Sequence, residues 1–565
     1  MTAGLWAAAL AGLAGSALAG VRWLRVAQRE HYLGGSLPRF GWRWWGGPGG
    51  AGPNGLLFAA GALATIGSLG LPAVGVVVAA VAAGGPAGLS LRGRTSKLVW
   101  TGRLARLAAV WGAGQLAVLA GSVVVGVEVG GWAGGGAALV GLFTLSVPLT
   151  VGLACWATAP LERRLADPFV RSAAERLARV GPTVVAITGS YGKTTTKGYV
   201  AHLLGTSRSV VASPASFNNR AGLARAVNEH LAVGTEVFVA EMGTYGPGEI
   251  AELCSWTRPA VAVITAIGPV HLERFGSEER IVEAKSEILA GARAIVLNVD
   301  DARLAAVAAR AAGEGCRVWR CSGLDPSADV HVGVGGGEMA AGPPLAPCPP
   351  SGAAPEPGPV VTVRGRRLGC LAAGAPGAGS WAAPTNVACA VAVALELGVD
   401  PPEVARLLGS LPVAPNRLSV LTAGGGFTVL DDTYNSNPAG ARLALAALEG
   451  AGTEGGRKVL VTPGMVELGR RQAAENEAFA AAARPVVTYL VVVGRTNRRA
   501  LLLGIGAGDR ASGDPAAEAA AGGRPGRRPQ VEAVATREQA VAFVRAHLGP
   551  GDVVLYENDL PDHYP

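Results

Sequence analysis

The stretch from Thr188 to Thr196 constrains the fold of this chain most, because it places two glycines, a lysine and several threonines directly after an apolar run. The β-branched run from Thr183 to Ile187 predicts a strand, and the residues that follow Lys193 predict a helix. A glycine-rich turn between a strand and a helix is typical of sites that bind phosphate through backbone N–H groups. The sequence therefore predicts a phosphate-binding loop.

Each residue type in this loop has a chemical reason. The glycines let the backbone approach a triphosphate, Lys193 supplies a positive charge for the outer oxygens, and the Thr194 hydroxyl can reach a bound Mg2+. Only two residues separate the glycines, so the loop is a shortened variant of the general Walker pattern. A turn without function is the alternative, and the order of strand, glycines, lysine and threonine argues against it. The residues predicted to contact nucleotide here are Gly189, Ser190, Tyr191, Gly192, Lys193, Thr194 and Thr195.

The region before Leu161 is almost free of acids, since Glu30 and Glu128 are the only two, and it carries long apolar runs. These runs each approach the length of about 20 residues that a helix needs to cross a bilayer. They span roughly 3–20, 55–71, 73–90, 107–127 and 135–159. The sequence therefore predicts about five transmembrane helices, and their glycine and alanine content favours close packing.

Basic residues are unevenly distributed among the loops of this region. The first loop and the third are rich in Arg and Lys, whereas the turn at Pro72 and the loop near Gly130 have none. By the positive-inside rule, this pattern predicts a multi-pass protein of the cell membrane, with everything after Arg163 on the cytoplasmic side. One kinked helix over 55–90 is the alternative, but it leaves a basic loop on the wrong side. We attribute the net charge of +8 to this topology rather than to nucleic-acid binding.

Three ionisable residues follow further strand-like runs. Glu241 ends the second run and His271 follows the third, while Lys285 lies on the helix-like stretch that comes next. A carboxylate at the C-terminal end of a parallel strand, beside a phosphate loop, is a typical metal ligand or water-orienting group. Each residue alone is weak support for a site, because such residues are usually solvated. Their order and spacing favour a functional reading.

The ordered motifs resemble those of the Mur ligase family. They are T-G-S-Y-G-K-T-T-T-K from Thr188, F-N-N from Phe217, E-M-G from Glu241, H-L-E-R-F-G-S from His271, A-K-S-E-I from Ala284, D-D-T-Y-N-S-N-P from Asp431 and M-V-E-L-G from Met465, with Asn386 and Arg417 between them. The resemblance covers most of the chain from about residue 184 to residue 493. An ordered set of this size is very specific.

The resemblance implies ATP and two Mg2+ ions as cofactors. Thr194 and Glu241 would serve the ion between the ATP phosphates, and His271 with Lys285 would serve the second ion. In this family the lysine that corresponds to Lys285 is commonly carbamylated, which turns a cation into an anionic ligand. The residues that the resemblance makes catalytic are Lys193, Lys285, His271 and Arg417.

Three later positions complete the implied nucleotide site. The resemblance assigns Asn386 to adenine and Asp432 to the ribose. It assigns Arg417 to the γ-phosphate and to the developing acyl phosphate. A helix cap at Asn386 and a simple turn at Asp432 are the structural alternatives.

The activity implied is that of an ATP-dependent peptide ligase in peptidoglycan precursor synthesis. A carboxylate is a poor acceptor for an amine, so ATP first converts it to an acyl phosphate. An amine such as D-alanyl-D-alanine then attacks, which leaves an amide, ADP and phosphate. Because both reacting groups are anionic, two Mg2+ ions, Lys193 and Arg417 would offset their repulsion. The expected partners are a muropeptide or another carboxylate and an amine co-substrate.

The expected architecture is an N-terminal α-helical transmembrane region followed by α/β domains. We predict the transmembrane region over 1–160 and a P-loop central domain over 161–412, with a Pro/Gly-rich insertion at about 335–359. A smaller Rossmann-like α/β domain is predicted over 413–565, with a flexible insertion at 507–530.

The sequence departs from the family pattern at four places, one of which is the helix after Gly469, where Glu475 and Asn476 stand in place of a common His. The D-S-R type motif of the UDP-sugar domain is not found before the phosphate loop, where the membrane segments lie instead. Ala215-Ser216 stands where Gly-Asn often precedes F-N-N, and the end at Glu557-Asn558-Asp559 replaces a lysine-bearing segment. A lipid-linked muropeptide is therefore an alternative substrate.

Three other functions are alternatives to this reading. A membrane amino-acid ligase of the poly-γ-glutamate synthase kind would use the same ATP centre on a different carboxylate. An ATP-driven transporter needs an LSGGQ-like helix, which the sequence lacks. A catalytically retired scaffold is disfavoured because Lys193, Glu241 and His271 are all retained.

Overall fold

The computed structural model describes residues 2–45, 53–89, 91, 98–128, 132–214, 217–270, 272–333, 345, 359–371, 384–412, 418–433, 436–506 and 529–559. Two of the predicted site residues, His271 and Arg417, lie outside the described residues, as do most of the two predicted insertions. The chain divides into a helical unit that ends at Asp167 and an α/β unit over Pro168–Asp559.

The helical unit contains the predicted apolar segments as helices. They are α1 (Thr2–Arg29), α2 (Ser36–Trp44), α3 (Pro53–Gly67), α4 (Gly75–Gly84), α5 (Gly102–Glu128), α6 (Ala133–Leu145) and the first part of α7 (Val147–Val180), with short 3-10 turns at Pro72–Val74 and Gly85–Gly88. Among the described residues, α1 and α5 are long and apolar enough to cross a membrane, and α6 and α7 meet the same criterion only together, as a pair bent by 69°. Helices α3 and α4 have 15 and 10 residues, fewer than the about 20 that a straight span needs. The count of about five spans therefore stays a prediction.

Small residues let these helices approach each other closely, as the sequence predicts. A Cβ atom added to Gly15 on α1 would lie 2.7 Å from the carbonyl oxygen of Ala79 on α4. One added to Gly136 on α6 would lie 2.9 Å from Gly126 Cα on α5. A polar contact joins α1 to α5, because Gln115 Nε2 donates to Ser16 Oγ at 3.0 Å. Close backbone approach and interhelical hydrogen bonds are the usual basis of packing between apolar helices.

The first part of the α/β unit is built on a nine-stranded sheet of order β2-β3-β1-β4-β5-β6-β7-β8-β9. Its strands are β1 (Thr183–Thr188), β2 (Val210–Ala212), β3 (Val237–Glu241), β4 (Val261–Ile264), β5 (Ala294–Asn298), β6 (Arg317–Ser322), β7 (Val330–Gly333), β8 (Val360–Val363) and β9 (Arg366–Cys370). Strands β1 to β7 are parallel to one another. Strand β8 pairs antiparallel with both β7 and β9. The helices are α8 (Lys193–Leu204), α9 (Arg220–His230), α10 (Glu249–Thr257), α11 (Leu272–Phe275), α12 (Glu278–Ser286), α13 (Ala302–Gly313), α14 (Pro384–Glu396) and α15 (Pro401–Leu407).

Strand β1 is central and buried on both faces. Val185 and Ile187 point into one hydrophobic cluster, and Val184 and Ala186 point into the other. This alternation is the two-residue period of a strand, and a continuous apolar sequence is typical of parallel strands covered by helices on both sides. The chain leaves β1 towards one edge of the sheet and leaves β4 towards the other. The carboxyl ends of β1 and β4 therefore flank the crevice in which such sheets bind ligands.

A smaller sheet follows, of order β10-β11-β15-β12-β13-β14. Its strands are β10 (Ser419–Thr422), β11 (Thr428–Asp432), β12 (Lys458–Thr462), β13 (Tyr489–Val493), β14 (Gln530–Val534) and β15 (Val553–Glu557). Only β10 is antiparallel to its neighbour. The helices are α16 (Pro438–Gly450), α17 (Gln472–Ala483), α18 (Arg498–Gly504) and α19 (Arg537–His547). The predicted α/β architecture of the catalytic part, with a larger and a smaller sheet, is confirmed.

Candidate functional site

The predicted phosphate loop connects β1 to α8, and its two glycines are required by geometry. Gly192 has φ of 77°, in the region that favours glycine, and it directly precedes the first residue of α8. A Cβ atom on Gly192 would lie 2.2 Å from Asn386 Oδ1, and one on Gly189 would lie 2.1 Å from Thr265 Oγ1. The loop is thus closely surrounded, and the N–H groups of the first turn of a helix are the usual anion-binding feature of such a loop.

Hydrogen bonds tie this loop to the segment that follows β4. The Ser190 amide donates to the Ala266 carbonyl at 2.7 Å, and Ser190 Oγ accepts from the Gly268 amide at 3.0 Å. The Tyr191 ring packs on Gly268, where an added Cβ would lie 2.1 Å from the phenol oxygen. His271 comes three residues later, outside the described residues. The structure therefore describes the segment that follows β4, up to residue 270, beside the phosphate loop, and does not describe His271.

Glu241 is the most connected carboxylate at this edge of the sheet. Its Oε2 accepts from Thr194 Oγ1 at 2.9 Å and from Lys197 Nζ at 2.9 Å. Its Oε1 accepts from Asn218 Nδ2 at 3.2 Å, and its backbone amide donates to Ser213 Oγ at 3.1 Å. The predicted pair of Thr194 and Glu241 therefore does meet, as strand register allows, since Glu241 lies beside Ile187 in β1.

The charge state of Glu241 follows from these neighbours. Burial alone would raise the pKa of this carboxyl group, but the positive charges of Lys197 and Lys193 and the hydrogen bonds from Lys197 and Thr194 outweigh it. The pKa of Glu241 is therefore lowered from its usual value, and the group is an anion at neutral pH. A carboxylate anion beside a threonine hydroxyl is a suitable pair for Mg2+, which prefers oxygen ligands.

Sequence reasoning gave Lys197 and Asn218 no role, although both lie in motifs that it used. Lys197 ends T-T-T-K and lies one helical turn after Lys193, so it returns to the same face of α8. Asn218 belongs to F-N-N. The signal that was available is the i, i+4 spacing of the two lysines, which places two positive charges at one end of the helix.

Lys193 and Lys285 are brought into electrostatic range of each other. Lys193 Nζ donates to the Gly189 carbonyl at 2.7 Å. Lys285, on α12, is buried, and this burial, followed by the positive charge of Lys193, holds the pKa of its amine well below the usual value. Ser277 caps α12 through its hydroxyl, which accepts from the Arg280 amide at 3.3 Å. The helix thus holds a buried amine, with a lowered pKa, near the phosphate loop.

Predicted nucleotide contacts beyond the loop have different outcomes. Asn386 lies on α14 with its side chain against Gly192, so the structure brings it to the loop. Asp432 ends β11 in the smaller sheet, where its Oδ1 accepts from the Leu418 amide at 3.2 Å. Thr195 is partly exposed in the first turn of α8. Arg417 lies outside the described residues.

No group of three His, Cys, Asp or Glu side chains that could enclose a metal ion occurs within the described ranges. Mg2+ does not require one, because it is usually held by one or two carboxylates together with substrate phosphates and water. Thr194 and Glu241 fit that donor set. Of the residues predicted for the second ion, the structure describes Lys285 alone, and an unmodified amine lacks the oxygen ligands that Mg2+ prefers.

The smaller sheet carries its own buried carboxyl group at the corresponding edge. Glu557 ends β15, where its two oxygens accept hydrogen bonds from Ser436 Oγ and from Thr462 Oγ1. Burial, with the nearby charge of Asp432, raises the pKa of Glu557 to about 8, although both hydroxyl groups oppose this. At neutral pH this carboxyl group is therefore largely protonated, unlike Glu241.

Charged side chains join the two sheets of the α/β unit above the phosphate loop. Glu278 accepts from Arg303 on its own side and from Arg471 Nη1, at 2.6 Å, on the side of the smaller sheet. Arg471 also donates to Glu475 at 2.6 Å. Tyr191 is close enough to this network for Glu278 and Glu475, after burial, to raise the pKa of its phenol. The smaller domain is therefore held against the loop edge of the larger one.

Both domains of the α/β unit match models of known protein domains. Residues 187–334 match the Mur ligase middle domain, and residues 416–556 match the Mur ligase glutamate ligase domain. The chain is 36% identical over 404 residues to the UDP-N-acetylmuramoyl-tripeptide--D-alanyl-D-alanine ligase of Mycobacterium bovis, which covers 68% of this chain and 71% of the relative.

Solved structures show the same fold. The MurF ligase of Thermotoga maritima in complex with ADP superimposes with a TM-score of 0.52 and 26% identity, over 70% of this chain and 80% of that protein. MurF of Acinetobacter baumannii gives a TM-score of 0.52 at 22% identity, over 69% of this chain and 76% of that protein. The lower identity of the second structure supports a common fold only.

Proposed function

The chain belongs to the Mur ligase family, and we propose that it joins D-alanyl-D-alanine to a UDP-N-acetylmuramoyl-tripeptide with the hydrolysis of ATP. The substrates named for the relative from M. bovis, at 36% identity over 404 residues, support this assignment. The observation that carries it is the phosphate loop with Thr194, Lys197 and Glu241 hydrogen-bonded together beside it. A MurF ligase with bound ADP shares the fold.

The reaction proceeds in two balanced steps. A carboxylate oxygen of the muropeptide attacks the γ-phosphorus of ATP, which releases ADP and leaves an acyl phosphate. The amine nitrogen of the dipeptide then attacks the carbonyl carbon, the bond from that carbon to the phosphate oxygen breaks, and the amide, phosphate and a proton are released. Bound Mg2+ supplies charge neutralisation between the two anionic reactants.

The described residues support distinct tasks in this reaction. The backbone of the loop binds the phosphates, and Lys193 neutralises their charge. Thr194 and Glu241 would hold the magnesium ion of the nucleotide. Burial lowers the pKa of the Lys285 amine, which favours the unprotonated form that reacts with carbon dioxide and so supports the carbamate that the family resemblance predicts. His271 and Arg417 keep their predicted roles at the second ion and at the acyl phosphate.

We propose further that the helical unit anchors the enzyme in the membrane, with the catalytic unit on the cytoplasmic side. The length and apolar character of α1 and α5 support this. The proposed anchor also favours a second candidate substrate, a lipid-linked muropeptide. An enzyme and a substrate that are both held in the membrane encounter each other by diffusion within its plane.

The test is turnover of the purified full-length protein in detergent. ATP, Mg2+ and D-alanyl-D-alanine are supplied with either UDP-N-acetylmuramoyl-tripeptide or its lipid-linked counterpart. We expect ADP, phosphate and the amide product with the soluble nucleotide. Product from the lipid-linked acid alone would replace the first candidate with the second, and phosphate release that depends on L-glutamate instead would favour the polyglutamate alternative.

Lys193→Ala should abolish turnover in this assay while the thermal unfolding transition stays unchanged. The loop binds phosphate and Lys193 is not part of a hydrophobic cluster, so its loss removes charge rather than packing. Wild-type turnover by this variant would refute the assignment of the loop.

A further inference from the structure

The ion pair between Lys197 and Glu241 is the most buried one in the nucleotide site. Lys197 Nζ lies 2.9 Å from Glu241 Oε2, and the exposed fractions of the two side chains are 7% and 4%. The same oxygen accepts from Thr194 Oγ1 at 2.9 Å, so the pair contacts the phosphate loop directly. Burying two charges is costly, and a buried pair is weak support for a purely stabilising role.

The electrostatics of nucleotide entry give the pair a different purpose. Glu241 places a negative charge beside the loop that is proposed to bind the phosphates of the nucleotide. The carboxylate and the phosphates repel each other, and this repulsion is stronger where water is excluded. Mg2+ removes that repulsion only when it is present. Lys197 is a positive charge that the protein itself supplies on the same carboxylate, and it reaches this position because it lies one turn after Lys193 on α8.

We propose that Lys197 is a positioning residue and an internal counter-ion for Glu241, an inference that rests on the proposed function. It neutralises the carboxylate while no metal ion is bound, so that nucleotide can occupy the loop. It also holds one carboxylate oxygen against Thr194, the pair that would receive Mg2+. Lys193, by contrast, serves the phosphates themselves.

The test compares ADP binding with and without metal. Isothermal titration calorimetry at pH 8 measures ADP affinity in EDTA and in excess Mg2+, for the full-length wild type, Lys197→Met, Glu241→Gln and the double variant. We expect Lys197→Met to weaken metal-free binding by roughly tenfold to a hundredfold, because Glu241 is then unpaired. In Mg2+ the loss should be no more than about threefold, since the ion replaces the missing charge.

The other variants make the inference refutable. Without metal, Glu241→Gln should bind ADP more tightly than the wild type, because it leaves the positive charge of Lys197 unpaired beside the loop. The double variant should return to the wild-type value, because it loses both charges and, like the wild-type ion pair, has no net charge there. The double variant also folds without an unpaired buried charge, which keeps the test available if Lys197→Met is unstable. Lys458→Met is the matched control, as Lys458 begins β12 and donates to the Glu449 carbonyl.

Equal weakening of ADP binding with and without Mg2+ in Lys197→Met would mean a structural role and would overturn the inference. Failure of the double variant to restore metal-free binding would overturn it as well. A wild type that binds ADP under neither condition would instead refute the nucleotide site, and the proposed function with it.

Discussion

A buried glutamate ends a parallel strand in each of the two sheets, yet the two carboxyl groups are in opposite charge states. Glu241 closes β3 and Glu557 closes β15, with exposed fractions of 3% and 0%. Lys197 and Lys193 lower the pKa of the first group, whereas burial raises the pKa of the second to about 8. Among the described residues, the hydrogen-bond donors to Glu557 are two hydroxyl groups.

The difference shows that position at the carboxyl edge of a sheet does not define a metal ligand. A nearby cation is what keeps a buried carboxylate ionised, and only an ionised group is a good ligand for Mg2+. This difference supports the proposed role of Glu241 as a metal ligand, whereas Glu557 forms a hydrogen-bonded link. It joins the loop that contains Ser436 to the end of β12 at Thr462.

The largest expected effect separates the two glutamates directly. Glu241→Gln should lower kcat/KM for ATP by roughly 1,000-fold, because the site loses its anionic oxygen. Glu557→Gln should stay within about threefold, since the amide resembles the protonated acid that is already there. Steady-state kinetics of both variants measure this, and similar losses in the two would break the distinction.

Substitution of Lys285 should lower turnover strongly, as substitution of Glu241 should and substitution of Glu557 should not. We expect Lys285→Ala to lower turnover by roughly 300-fold, because a group next to the phosphate loop is lost. If a carbamate on Lys285 is the active form, millimolar acetate or formate should restore part of the activity of Lys285→Ala. The same acids should leave the activity of Glu557→Gln unchanged, which is the negative control.

We expect the carboxyl groups of Glu557 and Glu241 to give the free energy of unfolding opposite dependences on pH. The folded-state pKa of Glu557, about 8, is above its unfolded value, so its contribution is full below the unfolded pKa and is lost as pH rises through about 8. Between pH 5 and pH 8 this loss amounts to roughly 3 kcal/mol. For Glu241, whose pKa is lowered, stability is instead lost as pH falls through the folded value.

Thermal unfolding at a series of pH values measures this dependence. The transition of the smaller domain should fall more steeply between pH 5 and pH 8 in the wild type than in Glu557→Gln, which has no proton to lose. Parallel curves for the two proteins would contradict a raised pKa at Glu557.

Ser436→Ala should have the smallest effect of the series. It removes one hydroxyl donor to the buried Glu557 oxygen, which costs about 1–2 kcal/mol of stability. Turnover should change little, because Ser436 has no proposed role in catalysis. Chemical denaturation of the variant gives the cost, and Thr462→Val, which removes the other hydroxyl, provides a comparison of similar size.

The β-branched run before Gly189 and the order of the motifs that follow it were sufficient to predict the α/β fold. The structure also brings Thr194 and Glu241 together, as the motifs predict, while the catalytic roles of the site residues stay predictions. Short strands were missed, because β2 has three partly exposed residues and no clear alternation. Strands β10 and β14 at the edges of the smaller sheet were missed for a similar reason.

Partners that are distant in sequence could not be predicted in the same way. Lys197 meets Glu241 across 44 residues only because β3 pairs with β1 in one register. Glu557 meets Ser436 across 121 residues and Thr462 across 95. The identity of Glu557 flagged a departure from the family pattern, but its charge state depends on burial and on these hydroxyl groups.

The most direct test of the central claim uses isotope transfer. A muropeptide whose reacting carboxyl group carries 18O is incubated with the enzyme, ATP, Mg2+ and D-alanyl-D-alanine, and the released phosphate is analysed by mass spectrometry. An acyl phosphate formed at the phosphate loop predicts one 18O atom in each phosphate released with product. Unlabelled phosphate accompanying amide formation would contradict the account.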